Sequence, residues 1–414
     1  MSYLVWGLGK SGKAAVRLLK SKGYKVFAGD DKESPGLWKE VLNEVETIVL
    51  SPGIPPHHPL WIEALNKEKE VIGELELAYR FFKGKIIAIT GTDGKSTTTR
   101  LTYLILKNFF SGVYEGGNIG IPFSDIVREK KKGIAVLEVS SFQGKTLKTF
   151  RPDIGAFISF SPDHLDWHPS LEDYLKSKYK VFENQSEEDL IVLNDFVKEI
   201  KETPTRAKKI NFSELEISKE GVYFQGIKLF NPKYLKIRGI HNVYNASVAA
   251  LIALELGLKP DEFEDILYEF SGLPHRLEHL GTFRGIYIYN DSKSTTTNAL
   301  KYSLETFPDN SVILIVGGKD KGVDFLSVLE IVKKKVKIAF AIGETKEKIK
   351  ESWKEYVPIE TCSDLEEAVK KALSFAKSGD IILFSPACSS FDMFKSYEER
   401  GEKFKELIFK FLGT

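Results

Sequence analysis

Two hydrophobic periods alternate along this chain. Short unbroken apolar runs, too short for buried helices, predict strands at 2–7, 25–28, 47–50, 86–89, 134–139 and 154–160. The same pattern returns at 286–289, 312–316, 337–342 and 381–384. Between the runs, apolar residues recur at helical spacing. This predicts helices over 13–21, 74–82, 96 onward, 171–183, 261–270, 297–304, 325–333, 364–376 and the last stretch to 411. Residues 220–224 and 227–230 around Gly226 read as a hairpin. Strand–helix alternation predicts an α/β fold with mostly parallel sheets. Lys83–Lys85 reads as a linker, and Pro274 as the break after helix 261–270. The expected domains are therefore 1–83, 84–273 and 274–414, the first and last Rossmann-like.

The strand at 86–89 runs into Gly91-Thr92-Asp93-Gly94-Lys95-Ser96-Thr97 and then a helix. A glycine-rich turn between strand and helix points backbone N–H groups, and the positive end of the helix dipole, into one small space. Lys95 can reach a terminal phosphate as a point charge, and Ser96 or Thr97 can place a hydroxyl on Mg²⁺. Ile89 stands where the usual phosphate loop begins with glycine, so the loop is a short form. This makes the central domain an ATPase-type phosphate-loop domain.

Other strand ends carry candidate chemistry. Gly7, Gly9 and Gly12, with Asp30 and Asp31 some 20 residues on, form a dinucleotide-type fingerprint. Its literal reading is NAD or FAD, and its bland reading is another nucleotide or none. Ser51-Pro-Gly53 is a further strand-end turn, and Gly116–Gly120 reads as a glycine-rich loop at a ligand. Glu138 and His164 close two strands on the rim of the phosphate loop and suit Mg²⁺. Lys178 reads on spacing alone as a solvated helix lysine. Asn242 and Asn245, one helical turn apart, suit a base or a phosphate, or else cap the helix. Arg276 can bring a guanidinium to a phosphate, with a surface arginine as the bland reading. In the last domain Lys321 and Ser390 suit a small anion such as an amino-acid carboxylate, and Cys388 reads as structural.

Composition narrows the class. The 414 residues are 42% hydrophobic and 28% charged with a net charge of +1, which points to a globular protein with no bulk nucleic-acid or anionic-membrane binding. Two cysteines exclude a disulfide framework and a paired-cysteine metal site. No apolar run reaches membrane-spanning length and no signal peptide precedes the first strand, so the expected location is cytoplasmic.

The motifs GTDGKST, GGNIG, LEVSSFQ, SPDHLDWH, HNVYN, PHRLE, NDSKSTTTN and SPACSSFDMF follow one another in this order. In that order they resemble the Mur ligase family over nearly the whole chain. GLGKSG, SPGI and GELEL are similar to the N-terminal segments of the D-glutamate-adding branch. The resemblance implies three domains, ATP, two Mg²⁺ ions, a UDP-N-acetylmuramoyl-L-alanine substrate activated as an acyl phosphate, and D-glutamate as the incoming amine. It implies peptidoglycan synthesis by a monomer. By the same resemblance, Ser96, Glu138 and His164 match metal positions, and Lys178 matches a lysine that is carbamylated in relatives to hold the second ion. Asn242, Asn245, Arg276 and Asp291 match nucleotide-binding positions. Gly9, Lys10, Ser11, Asp30, Asp31, Lys32, Ser51, Gly53 and Asn118 match positions for the UDP substrate, and Thr295, Lys321, Ser390 and Tyr397 match positions for D-glutamate. Asp93 replaces the family's usual Asn, a charge that opposes a triphosphate unless it faces solvent or metal. Tyr397 stands where Phe is common. The alternatives are a Mur-type ligase for another amino acid, a folate polyglutamate ligase, against which residues 1–83 argue, and an NAD-dependent oxidoreductase. The last leaves the phosphate loop, Glu138 and His164 unused.

Overall fold

Lys85–Thr90 is buried from Ile86 onward, as a strand covered on both faces of a parallel sheet must be. It lies at the centre of a six-stranded sheet in the order Lys208–Asn211, Leu190–Leu193, Ile154–Phe157, Lys85–Thr90, Ile134–Glu138, Val113–Gly117. Every pairing in it is parallel. The computed structural model describes residues 1–165 and 167–413, so Asp166 of the SPDHLDWH motif lies outside the described residues.

Contacts divide the chain into two units, residues 1–235 with 240–270, and 236–239 with 271–414. The first unit holds the six-stranded sheet, a small antiparallel sheet (215–230), and a four-stranded parallel sheet. The last is ordered Lys25–Gly29, Ser2–Trp6, Thr47–Leu50, Glu70–Gly73. One buried core runs from Tyr3, Val5 and Leu18 through Leu75 and Leu77 to Ile86, Phe123 and Phe150. Polar clasps flank it. Glu76, fully buried, accepts the N–H groups of Lys148, Thr149 and Phe150, and the Arg17 guanidinium grips both oxygens of Asp125.

Glu74 is the costly member of this region. Its Oε1 accepts the Ser124 N–H at 2.5 Å, while Oε2 has no partner among the described residues. Burial pushes its carboxyl up to about 7. An acid raised in the folded state holds an extra proton between its unfolded value near 4.5 and 7, so stability falls as pH rises through that window. The loss is on the order of 3 kcal/mol. Glu74→Gln is expected to flatten the melting temperature between pH 5 and 8 and to match or exceed the parent at pH 8. Parallel pH profiles for the two proteins would refute it.

The second unit holds a six-stranded sheet in the order Glu278–Phe283, Ile286–Asn290, Ile381–Phe384, Val312–Gly317, Val336–Ile342, Ile359–Thr361. Its first pair is antiparallel and the rest are parallel. Ile313, Ile315, Phe384 and Phe404 pack one face, and Leu314, Val316, Leu383 and Trp353 the other.

Three expectations are corrected. Gly116 and Gly117 belong to the edge strand Val113–Gly117, paired with Leu137 and Glu138, and only the residues after them form the loop. The strand read to 160 stops at Phe157, the last residue paired with Lys85–Thr90, and Ser159 turns to the phosphate loop. The helix Pro260–Glu269 ends at Phe270, so Pro274 lies beyond its end and does not break it.

Candidate functional site

In the first unit the phosphate turn is held from three sides. Gly94 sits at φ +80°, and a Cβ there would lie 2.6 Å from Asn245 Oδ1, so the turn's last residue must be glycine. Asn245 accepts from Thr98 Oγ at 3.1 Å and donates to Asn242 Oδ1 at 3.0 Å, which places both asparagines against the turn. Ser159 Oγ accepts the N–H groups of Thr92 and Asp93, and Thr92 Oγ lies 3.1 Å from the Tyr174 hydroxyl. The Asp93 residue is exposed at the tip, which relieves the charge conflict expected there.

Two lysines converge on this turn. Lys95 Nζ donates to the Gly91 and Thr92 carbonyls at 2.9 and 2.6 Å, and Lys178 Nζ donates to the same Gly91 carbonyl at 2.6 Å. Lys178 is only 1% exposed, so the solvated-lysine reading is overturned. Its ammonium lies 4.6 Å over the Tyr174 ring. Burial, and then the Lys95 charge, push its amine well below the usual lysine range. Beside the lysines, the Ser96 hydroxyl donates to Glu138 Oε2 at 2.6 Å and Asn118 Nδ2 to Oε1 at 2.7 Å. Thr97 is half-buried in the first helical turn. His164 stands on the loop at φ +54°, its ring 4.7 Å from Phe142 and its Nε2 3.4 Å from Asp163.

The donor set tests Mg²⁺. Ser96 Oγ and Glu138 are hard oxygen ligands at the mouth of a phosphate loop, and no cluster of three or more His, Cys, Asp or Glu exists among the described residues. That suits an ion held by one or two protein oxygens plus phosphates and waters, the usual arrangement for Mg²⁺.

At the N-terminal sheet, Gly9 caps the helix Lys10–Ser21 and Ser11 is half-buried in its first turn. Lys10 Nζ donates to the Gly120 carbonyl at 2.5 Å, and Ser51 Oγ to the Gly7 carbonyl at 2.5 Å. Asp30 accepts the N–H groups of Lys32 and Glu33, which hold its carboxyl below the usual range. Asp31 contacts Trp6 Nε1 and His58 Nε2 at 3.2 and 3.1 Å. Lys32 and Gly53 are exposed.

In the second unit three strand-end loops meet on one rim. Lys319 N–H donates to the Ser389 carbonyl, and Ser292 Oγ to the Tyr397 carbonyl. Ser390 is buried, Thr295 and Lys321 are exposed, and the Lys321 ammonium lies 5.9 Å over the Phe391 ring. Tyr397 opens the helix Tyr397–Leu412, with the Lys293 ammonium 4.1 Å over its ring. Asp291 is buried, accepting from Ser303 Oγ, Ser385 Oγ and Leu277 N–H; burial raises its carboxyl to about 6, while these bonds and the Arg276 charge oppose the rise.

Three residues escaped the sequence reading. Ser159 clamps the phosphate turn, Tyr174 lies beneath Lys178, and Arg400 is buried behind the Ser389 loop, bonded to Ser292 and lowered by burial to about 10. The i, i+4 spacing of Tyr174 and Lys178 was a usable signal. Ser159 and Arg400 carry no motif.

Comparison with known proteins agrees in family and fold. Residues 89–253 match the Mur ligase middle domain, and residues 275–388 match the Mur ligase, glutamate ligase domain. The chain is 72% identical to the UDP-N-acetylmuramoylalanine–D-glutamate ligase of Aquifex aeolicus, covering 99% of this chain and 98% of that one. It is 52% identical to the enzyme of the same name from Hydrogenobaculum, over the full length of both. Among solved structures, the MurF ligase of Thermotoga maritima in complex with ADP superposes with a TM-score of 0.62 at 17% identity, covering 91% of this chain and 92% of that one. The UDP-N-acetylmuramate–alanine ligase MurC of the same organism gives 0.61 at 20% identity, covering 98% of each. These two likenesses concern the fold.

Proposed function

The chain belongs to the Mur ligase family, and from that premise we propose that it is the ATP-dependent ligase that adds D-glutamate to UDP-N-acetylmuramoyl-L-alanine in peptidoglycan synthesis. The observation that carries the chemistry is the meeting of Lys95 and Lys178 on the Gly91 carbonyl, next to the Ser96–Glu138–Asn118 chain. In this reading residues 1–83 hold the UDP end, 84–273 hold ATP, and 274–414 present D-glutamate.

The substrate carboxylate attacks the γ-phosphorus of ATP, and ADP leaves. Such a transfer needs positioning and charge neutralisation more than covalent help. Lys95 turns from its own carbonyls to the γ-phosphate, and the N–H groups of the turn cradle the neighbouring phosphates. Ser96 and Glu138, with His164 and a carbamylated Lys178 as further ligands, would hold Mg²⁺, which would neutralise the charge spread over the phosphate oxygens. The lowered amine of Lys178 suits carbamylation: its lone pair adds to CO₂, an N–C bond forms, and one amine proton leaves to water. Asn118 steers the muramoyl end beside Glu138. The D-glutamate amine, its carboxylates on Thr295, Lys321, Ser390 and Tyr397, attacks the acyl phosphate, and the tetrahedral intermediate expels phosphate. Asn242, Asn245, Arg276 and Asp291 hold the nucleotide in this scheme.

Phosphate release from ATP with UDP-N-acetylmuramoyl-L-alanine tests the assignment across D-glutamate, L-glutamate, L-alanine, L-lysine and meso-diaminopimelate. Release with D-glutamate alone is the expected outcome. Release with another amino acid would move the chain within the family, and no release with any would overturn the ligase reading.

A further inference from the structure

Two residues after Glu138 the chain enters a short helix, Ser141–Gly144, and a line of polar groups ties that helix to the one that carries Lys178. Ser141 Oγ lies 3.0 Å from His168 Nε2, and His168 Nδ1 lies 2.8 Å from Asp173 Oδ2. Ser141 and His168 are almost fully buried. Asp173 stands in the first turn of Leu171–Tyr179 and is also paired with Lys145, the residue that caps the short helix. The short helix is thus tied to Asp173 twice, through Lys145 and through His168. Between the ties, a Cβ on Gly144 would lie 2.0 Å from the Ser177 carbonyl, one residue before Lys178. Only glycine lets the two helices approach this closely.

The donors and acceptors fix the imidazole's tautomer. An ionised carboxylate only accepts, so Nδ1 carries the proton; Nε2 then accepts, and the Ser141 hydroxyl donates to it. Phe142 at 5.8 Å, Trp167 at 4.6 Å and Tyr174 at 5.2 Å surround the ring and fix its plane. The order serine–histidine–aspartate is that of a hydrolytic triad, but a serine only 2% exposed has no room for an acyl substrate. Its role here is mechanical.

We propose that His168 is a positioning residue, and that the Ser141–His168–Asp173 relay sets the separation of Glu138 and Lys178 and so the shape of the metal–nucleotide site. The proposal rests on the reading of those two residues given above. Glu138 lies three residues before one end of the relay, and Lys178 five residues after the other, on a single helix. Groups that orient ligands from behind are worth about 10- to 100-fold in metal affinity.

The test is calorimetric binding of a non-hydrolysable ATP analogue, with and without Mg²⁺, to the full chain carrying Ser141→Ala or His168→Asn. Asn keeps a donor near the Nδ1 position and loses the bond to Ser141. Both variants are expected to weaken analogue binding about tenfold or more with Mg²⁺, to leave metal-free binding within twofold, and to lower kcat without raising KM for D-glutamate. Equal weakening with and without metal would overturn the proposal, since a merely structural bond moves both. So would an unchanged Mg²⁺ effect. Glu138→Ala and Lys178→Ala separate the two levels. If they abolish the Mg²⁺ effect and the relay variants do not, the relay is wrong alone; if none of the four alters it, the underlying metal reading falls too. Should His168→Asn fail to fold, Ser141→Ala removes a single oxygen atom and decides by itself.

Discussion

Lys95→Ala should lower phosphate release by about a thousandfold or more while the protein melts at its usual temperature. Lys95 is the one fixed positive charge that the phosphate turn itself contributes, and its ammonium bonds the Gly91 and Thr92 carbonyls of that turn. A γ-phosphate would take over from those carbonyls as the acceptor of the ammonium. Removing a preorganised donor of this kind typically costs 10²- to 10³-fold, and a full charge costs more. The turn itself is held by Ser159 and Asn245, which the substitution leaves in place. The check is a phosphate-release assay beside thermal unfolding. Near-normal turnover in a folded variant would remove the phosphate-loop assignment.

Lys178→Ala should lose activity by about 10²-fold or more and recover part of it with formate or acetate. The truncation leaves a cavity beneath the Gly91 carbonyl and over the Tyr174 ring, of a size for a small carboxylate. Such a carboxylate would stand where a carbamate on the native side chain would stand. Stability should fall as well, because a buried stem is lost. The native enzyme should also lose activity when CO₂ is stripped from the buffer and regain it with bicarbonate, with a carbamate carbon visible by ¹³C NMR from labelled bicarbonate. No rescue by carboxylates, together with indifference to CO₂, would leave Lys178 as a plain phosphate contact.

Much of this was legible in the chain because the deciding features are local. The run at 86–89 is apolar on every residue, so it had to be a strand covered on both faces, and GTDGKST after it had to be a turn and a helix start. The C-terminal strands 312–316, 337–342 and 381–384 were readable for the same reason, and the structure places them at Val312–Gly317, Val336–Ile342 and Ile381–Phe384. Elements without a strong local pattern were not readable. The edge strand Val113–Gly117 was hidden by its glycines, which close packing requires: a Cβ on Gly116 would meet the Ile121 carbonyl and one on Gly117 the Glu138 carbonyl. The strand Glu70–Gly73, of four residues, and the helix Pro59–Asn66, of eight, are too short to show a period.

The sequence by itself determined the fold class, the order of the strongly patterned strands and helices, the phosphate turn and the set of loops that carry chemistry, since each is written in contiguous residues. Tertiary structure alone decided what those residues meet. On spacing, Lys178 is an ordinary helix lysine; its burial, its lowered amine and its bond to Gly91 arise because two segments 87 residues apart are packed together. Glu138, at the end of one strand, meets Ser96 in the first turn of the helix that follows the neighbouring strand, and Ser141, His168 and Asp173 align across three separate segments. Burial and electrostatics depend on distance through space, and a linear pattern does not encode that distance until the chain has folded.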